Sequence, residues 1–195
     1  MRSRSDVNLK KALEARFPNE DVEGVAELLS AALEKGCVTY QQIDMSEDAK
    51  EDVVLFAYTH RLLLPSKSRK TMAWEDRPLT LDADECYRMP GVVAEVVRRA
   101  QETGRWDPEP AIRRYFSEHC DERASDKLKL FRKLKDKARN GKVTPYIFRQ
   151  CVVELGLRVD INQAIAEFKS ANLISPSLHQ AVSSGRIEYE VNPSL

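Results

Sequence analysis

Lys142-Val143-Thr144-Pro145-Tyr146-Ile147-Phe148-Arg149-Gln150-Cys151-Val152-Val153-Glu154-Leu155-Gly156 holds the start, body and stop of one helix. Threonine at the N-cap with proline at the first helical position is a strong start, because proline lacks only an N–H that would be unpaired there anyway. Ile147, Phe148, Cys151, Val152 and Leu155 supply an apolar face. Gly156 closes the helix, since glycine adopts the left-handed conformation at little cost.

Upstream, Leu128, Leu130, Phe131, Leu134 and Ala138 share one side of a helical wheel, with Lys129, Arg132, Lys133, Lys137 and Arg139 on the other. This predicts a helix capped by Ser125 and stopped at Asn140-Gly141. Downstream, Asp160 opens a third helix with Ile161, Ala164, Ile165 and Phe168 inward. Its outward face is Asn162, Gln163, Ala166, Glu167, Lys169 and Ser170, and Leu173-Ile174-Ser175-Pro176 breaks it. From Gly185 to Val191 apolar and polar residues alternate, the mark of a half-buried strand. Asn192-Pro193 ends it.

Three short helices on tight turns followed by a strand are the order of a winged helix, and residues 127–195 resemble that winged helix-turn-helix superfamily. Ala171-Asn172-Leu173-Ile174-Ser175-Pro176 resembles a recognition helix entering its wing, and Tyr189-Glu190-Val191-Asn192-Pro193 the returning wing strand. The likeness covers roughly a third of the chain and carries no catalytic signature.

The first half repeats the order more loosely. Val22, Val25, Ala26, Leu29, Ala32 and Leu33 have helical spacing before Gly36, and Cys37-Val38-Thr39-Tyr40 reads as a short strand. Ser46 caps a helix whose face is Ala49, Val53, Phe56, Ala57, His60 and Leu64, and Pro65 terminates it. Residues 66–84 read as a hairpin, with strands at Thr71-Met72-Ala73-Trp74 and Pro78-Leu79-Thr80-Leu81 about a charged turn. This half also resembles a winged helix, with one helix unplaced.

Between the halves, Val92, Val93, Val96, Val97 and Ala100 form a helical run stopped by Gly104, and Asp107-Pro108 restarts it toward Ile112, Tyr115 and Phe116. So apolar a connector packs and fixes its neighbours rather than acting as a flexible spacer, and Trp106 is expected to be shielded at the junction. The expected fold is mainly α with small β-hairpins as wings. It divides into a winged-helix-like domain over residues 1–88, a helical connector over 89–122 and a winged-helix domain over 123–195.

The 195 residues include 31 basic and 31 acidic side chains, so the whole molecule has no polyanion-seeking field. The halves differ, however. Residues 1–90 carry 13 Lys/Arg against 17 Asp/Glu, a net of −4, and residues 91–195 carry 18 against 14, a net of +4. An apolar run of the roughly 20 residues needed for a membrane helix is missing, and no hydrophobic signal core follows Met1, so a cytoplasmic protein without membrane partners is expected. Cys37, Cys86, Cys120 and Cys151 then read as reduced thiols used as small core residues.

No phosphate loop, nucleotide fingerprint or nucleophile elbow occurs, which argues against an enzyme and gives no catalytic residue or cofactor. His60 lies on an apolar helix face, where a core or boundary role is the ordinary one. His119 and Cys120 diverge by about 100° on a helix and have no further ligand at metal spacing, so no metal is expected. His179 falls in the expected second wing, exposed to solvent.

Residues 123–142 hold nine Lys/Arg and two Asp/Glu, locally +7, which points to duplex DNA as the partner of the second domain. Lys129, Arg132, Lys133, Lys137 and Arg139 would meet phosphates. The resemblance places the third helix in the major groove, with Asn162 and Gln163 at base edges, Lys169 at a phosphate and Arg186 at the backbone from the wing. The first domain argues otherwise. Ser46-Glu47-Asp48-Ala49-Lys50-Glu51-Asp52 sets four carboxylates in two turns of its candidate recognition helix, and only Lys67, Arg69 and Lys70 oppose them. The alternative is a tandem winged-helix scaffold that binds a protein partner through its acidic N-terminal domain, with self-assembly left open.

Overall fold

Ser3 starts the first helix by accepting a hydrogen bond from the Asp6 N–H, and α1 runs Arg4–Arg16. In this computed structural model residues 3–18, 20–67, 73–119, 123–177 and 187–195 are described. After α1 come α2 (Glu23–Lys35), β1 (Val38–Thr39), a single 3-10 turn (Tyr40–Gln42) and α3 (Glu47–Thr59). Strands β2 (Leu64–Pro65) and β3 (Cys86–Arg88) close this half, around a second 3-10 turn at Trp74–Asp76. Helices α4 (Gly91–Thr103) and α5 (Pro108–His119) form the middle. The second half runs α6 (Ala124–Lys137), β4 (Lys142–Val143), α7 (Pro145–Glu154), α8 (Ile161–Ser170), β5 (Ile174–Pro176) and β6 (Tyr189–Val191). The chain is mainly helical, with two small three-stranded antiparallel sheets of order β1-β3-β2 and β4-β6-β5. In each sheet the strand that comes last in sequence lies in the middle.

Local chemistry explains most boundaries. Thr144 accepts from the Ile147 N–H with Pro145 in the first turn of α7, and Asp160 accepts from the Gln163 N–H at the start of α8. Gly36, Gly104 and Gly156 take positive φ just past α2, α4 and α7, as left-handed helix stops should. Ser46 is the N-cap of α3.

Several expectations are corrected. Arg123, not Ser125, is the N-cap of α6, and that helix already ends at Lys137. Asn140 (φ 50°) and Gly141 (φ 70°) instead form a tight reversal between Arg139 and Lys142, which bridge antiparallel. Successive positive φ values match the right-handed twist of a hairpin, a geometry that suits Asn-Gly as well as a helix stop does. Pro65 does not end α3; the helix stops at Thr59, Arg61 turns left-handed (φ 56°), and Pro65 lies in β2. Over 73–81 there is no strand; Thr71 and Met72 fall outside the described residues. The Trp74 N–H donates to Ser175 Oγ instead of joining a ladder, and the strand forms at Cys86–Arg88. Of the predicted 185–191 strand, Gly185 and Arg186 fall outside the described residues, the strand runs Tyr189–Val191, and Ile187 is exposed. Cys37 and Cys86 are joined as a disulfide, with Cα atoms 5.9 Å apart. Thr39 pairs with Cys86 across β1 and β3, so the sheet brings together cysteines 49 residues apart. Cys151 is a buried free thiol, as expected of a small core residue.

The connector packs as expected. Val92, Val93, Val96, Val97, Ala100, Ile112 and Phe116 are buried and Tyr115 is half-buried. Helix α4 lies along α1 and α5 along α6, so each half is held by one of the two middle helices. Helix α1 was not foreseen. Asn8 on it donates to the last carbonyls of α4, Gln101 O at 2.9 Å and Glu102 O at 3.3 Å. The apolar core runs without a break from Leu9 and Leu13 through Phe116 to Phe168 and Tyr189.

Segments from both halves meet at a second junction. Trp74, 1% exposed, also donates from Nε1 to Asn172 Oδ1 at 3.4 Å, and the Arg61 guanidinium lies 5.5 Å over its ring. Arg61 in turn faces Glu190 at 3.7 Å, and Ser177 Oγ donates to Glu75 at 2.9 Å. Trp106, expected to be shielded, is half-buried against the core and donates from Nε1 to Ser194 O at 2.8 Å.

His60 packs between the rings of Phe17 and Phe56, at 4.6 and 4.4 Å. Burial lowers its pKa below the ordinary 6.5, opposed by Glu20 and aided by Arg16. The unfolded chain therefore binds a proton more readily than the folded one. The stabilisation from neutral His60 is complete above pH about 6.5 and is lost as pH falls through the folded pKa. Thermal unfolding should show a falling midpoint just below pH 6.5, ahead of the carboxylate range, and His60→Phe should flatten that limb. An unchanged limb in the variant would assign the dependence elsewhere.

Candidate nucleic-acid interface

The expected phosphate-binding cations on α6 are held by acids, Lys129 by one of its own helix and the others by acids of neighbouring helices. Arg132 makes a two-pronged ion pair with Glu109 of α5, and that carboxylate raises the Arg132 pKa. Lys137 and Lys133 share Glu154 of α7, Lys133 at 3.1 Å. These bonds from Lys137 and Lys133 hold the Glu154 carboxyl below its usual range. Lys129 lies 3.4 Å from Asp126, and buried Lys127 bonds Glu167 at 2.9 Å. Lys135 is turned inward, onto the Leu195 carbonyl, and burial lowers its pKa. Three carboxylates from outside this segment, Glu109, Glu154 and Glu167, lower its +7 to +4.

Further basic charge without an ion pair lies at the end of this segment and beyond it. Among the described residues Arg139, Lys142, Arg149 and Lys169 make no ion pair. Arg139 and Lys142 flank the Asn140-Gly141 turn and line an open concavity of about 1000 Å³ at the start of α7. Tyr146, 66% exposed, stands beside them with its hydroxyl accepting from Gln150 Nε2 at 2.9 Å. Asp136 and Glu188 are the acids on the rim. Sequence reading assigned Arg139 to this surface and missed Lys142, Tyr146 and Gln150. The signal was present in the Asn-Gly turn, which folds the chain back so that Lys142 joins Arg139.

On α8, Asn162 and Gln163 are exposed as expected, and the Gln163 side chain bonds Glu167 at 3.0 Å. Lys169 is half-buried, while Arg186 and His179 lie outside the described residues. His119 stacks on Tyr115 and bonds its carbonyl; Cys120 is outside the described residues. Among the described residues no group of three or more His, Cys, Asp or Glu is placed to hold a metal. None of the described helices is long and apolar enough to cross a membrane.

A protein-family model matches residues 7–195. No curated protein and no solved structure matches the chain.

Proposed function

The chain belongs to that family along nearly its whole length, and from its geometry we propose a non-enzymatic DNA-binding protein acting through its second half. In this reading residues 123–195 are a winged helix, residues 1–88 a second winged-helix-like unit, and α4 and α5 the connector. The sheet orders and the helix that precedes each sheet support it. One observation carries the functional part. Among the described residues Arg139 and Lys142 have no acidic partner, and they border a concavity with an exposed tyrosine at a helix start. Cations, a π-face and the positive end of a helix dipole are what a nucleic-acid backbone binds. Helix α8 then presents Asn162 and Gln163 to base edges, with Lys169 and Arg186 as phosphate contacts. Lys129, Arg132, Lys133 and Lys137 contribute less, because duplex must first displace Glu109, Asp126 and Glu154.

Fluorescence anisotropy with random-sequence duplex over a salt series tests this. Replacing Arg139 and Lys142 by Gln should weaken binding similarly for all sequences and flatten the log–log salt slope by roughly 0.9 for each phosphate no longer neutralised. Replacing Lys129, Arg132 and Lys133 together should cost less than that pair. Asn162→Ala should change sequence preference instead. If the unaltered chain does not bind at low salt, the DNA reading fails. The protein-interaction scaffold then takes precedence, favoured by the ion-paired face of α6 and the acidic start of α3.

A further inference from the structure

We propose that a groove between α2 and α3 receives α7 of a second copy of the chain, so that the protein self-associates through opposite halves. The groove, about 510 Å³, has Met45, Val53 and Phe56 along its floor and Glu20, Asp21 and Asp52 on its rim. Leu55 at its edge is 52% exposed. Among the described residues none of the three rim carboxylates has a cationic partner, whereas Glu95, Glu109, Glu154 and Glu167 all do. An apolar floor with an unneutralised acidic rim fits an amphipathic helix carrying positive charge.

Helix α7 has that character. Tyr146 and Val153, 66% and 78% exposed, are seven residues apart and so lie on one face, about 10 Å apart along the axis. Exposed Arg149, between them, has no ion pair among the described residues. The lengths agree as well. The ten residues of α7 span about 15 Å, the distance covered by the groove-lining stretch of α3 from Ala49 to Thr59. Seating α7 there puts Arg149 opposite Asp52, with Tyr146 and Val153 over the floor to either side. The opposite net charges of the two halves, −4 and +4, favour the same head-to-tail approach. One molecule cannot make this contact alone. Its own α7 packs on α6 and α8, with no substantial contact to α3, and the Trp74 junction ties the halves together. A single helix in a groove is a small interface, so the association is weak and depends on concentration and salt. The proposal does not rest on DNA binding.

Sedimentation velocity of the full chain without nucleic acid tests it. At about 50 mM salt the mean mass should rise above 22.3 kDa with increasing concentration, and at about 500 mM it should return to the monomer value. Asp52→Lys and Arg149→Glu should each weaken association about tenfold or more. An equimolar mixture of the two variants should associate again, because the groove of one and the helix of the other then carry opposite charges once more. Val153→Asp should weaken association with all charges of the rim intact, and circular dichroism confirms that each variant is folded. A monomer at every concentration in low salt overturns the proposal. So does an oligomer indifferent to both charge reversals, or a mixture that stays monomeric.

Discussion

Replacing Trp74 with alanine is expected to cost about 3–5 kcal/mol of folding free energy, the range for emptying a buried aromatic site. The indole is 1% exposed, and its slot is built by both halves. Alanine keeps the backbone donor to Ser175 Oγ but removes the Nε1 donor to Asn172 and the ring beneath Arg61. Arg61 would keep Glu190 as a partner while losing the surface that shields the pair. Denaturant unfolding followed by circular dichroism measures the loss. Limited proteolysis adds a spatial test, since cleavage between Pro65 and Cys86 should accelerate more than cleavage within α6 or α7. A variant as stable as the parent would mean that the 73–77 segment only rests on the second half.

The double variant Val96→Ala, Phe116→Ala should be the more severe. Both side chains are fully buried, and the Phe116 ring lies 5.7 Å from Phe168, at the centre of the aromatic cluster formed with Phe131 and Phe148. Phe116→Ala alone should cost about 3–5 kcal/mol, and Val96→Ala about 2 kcal/mol for two buried methyls and the space they leave. Together they approach the 5–15 kcal/mol that holds a typical domain folded. The fold should therefore melt near or below 37 °C, with faster proteolysis around residues 103–108. Helices α4 and α5 pack against each other, so the two effects need not add simply. Unchanged protease resistance would show that the two middle helices do not couple the halves.

What was legible in the sequence follows the range of the interactions. Thr144-Pro145 and Asp160 act within one helical turn, and both helices begin where those residues place them. The connector valines repeat at helical spacing, and their burial followed. Helix α1 was missed because only Leu9, Ala12 and Leu13 of its residues are buried, too sparse a stripe among charges to stand out. The strand placed at 71–81 failed for a different reason. Trp74 looks like a strand residue, but its backbone partner is Ser175, 101 residues away. The disulfide belongs to the same class, since it depends on strand pairing. At the candidate site, composition gave the dense basic segment but not the positions of Glu109 and Glu154, which engage Arg132, Lys133 and Lys137. Lys142 became visible only when the Asn140-Gly141 turn set it beside Arg139.

The central position of the last strand in each sheet also governs the order of events during synthesis. Strands β4 and β5 are not bonded to one another; each pairs only with β6. A ribosome adding about 5–20 residues per second therefore releases α6, α7 and α8 seconds before Tyr189–Val191 can join their sheet. Trp74 waits longer still, because Asn172 and Ser175 follow it by 98 and 101 residues. Through that interval a large indole has no slot to fill, and the nascent chain offers chaperones an aromatic surface that the finished protein conceals.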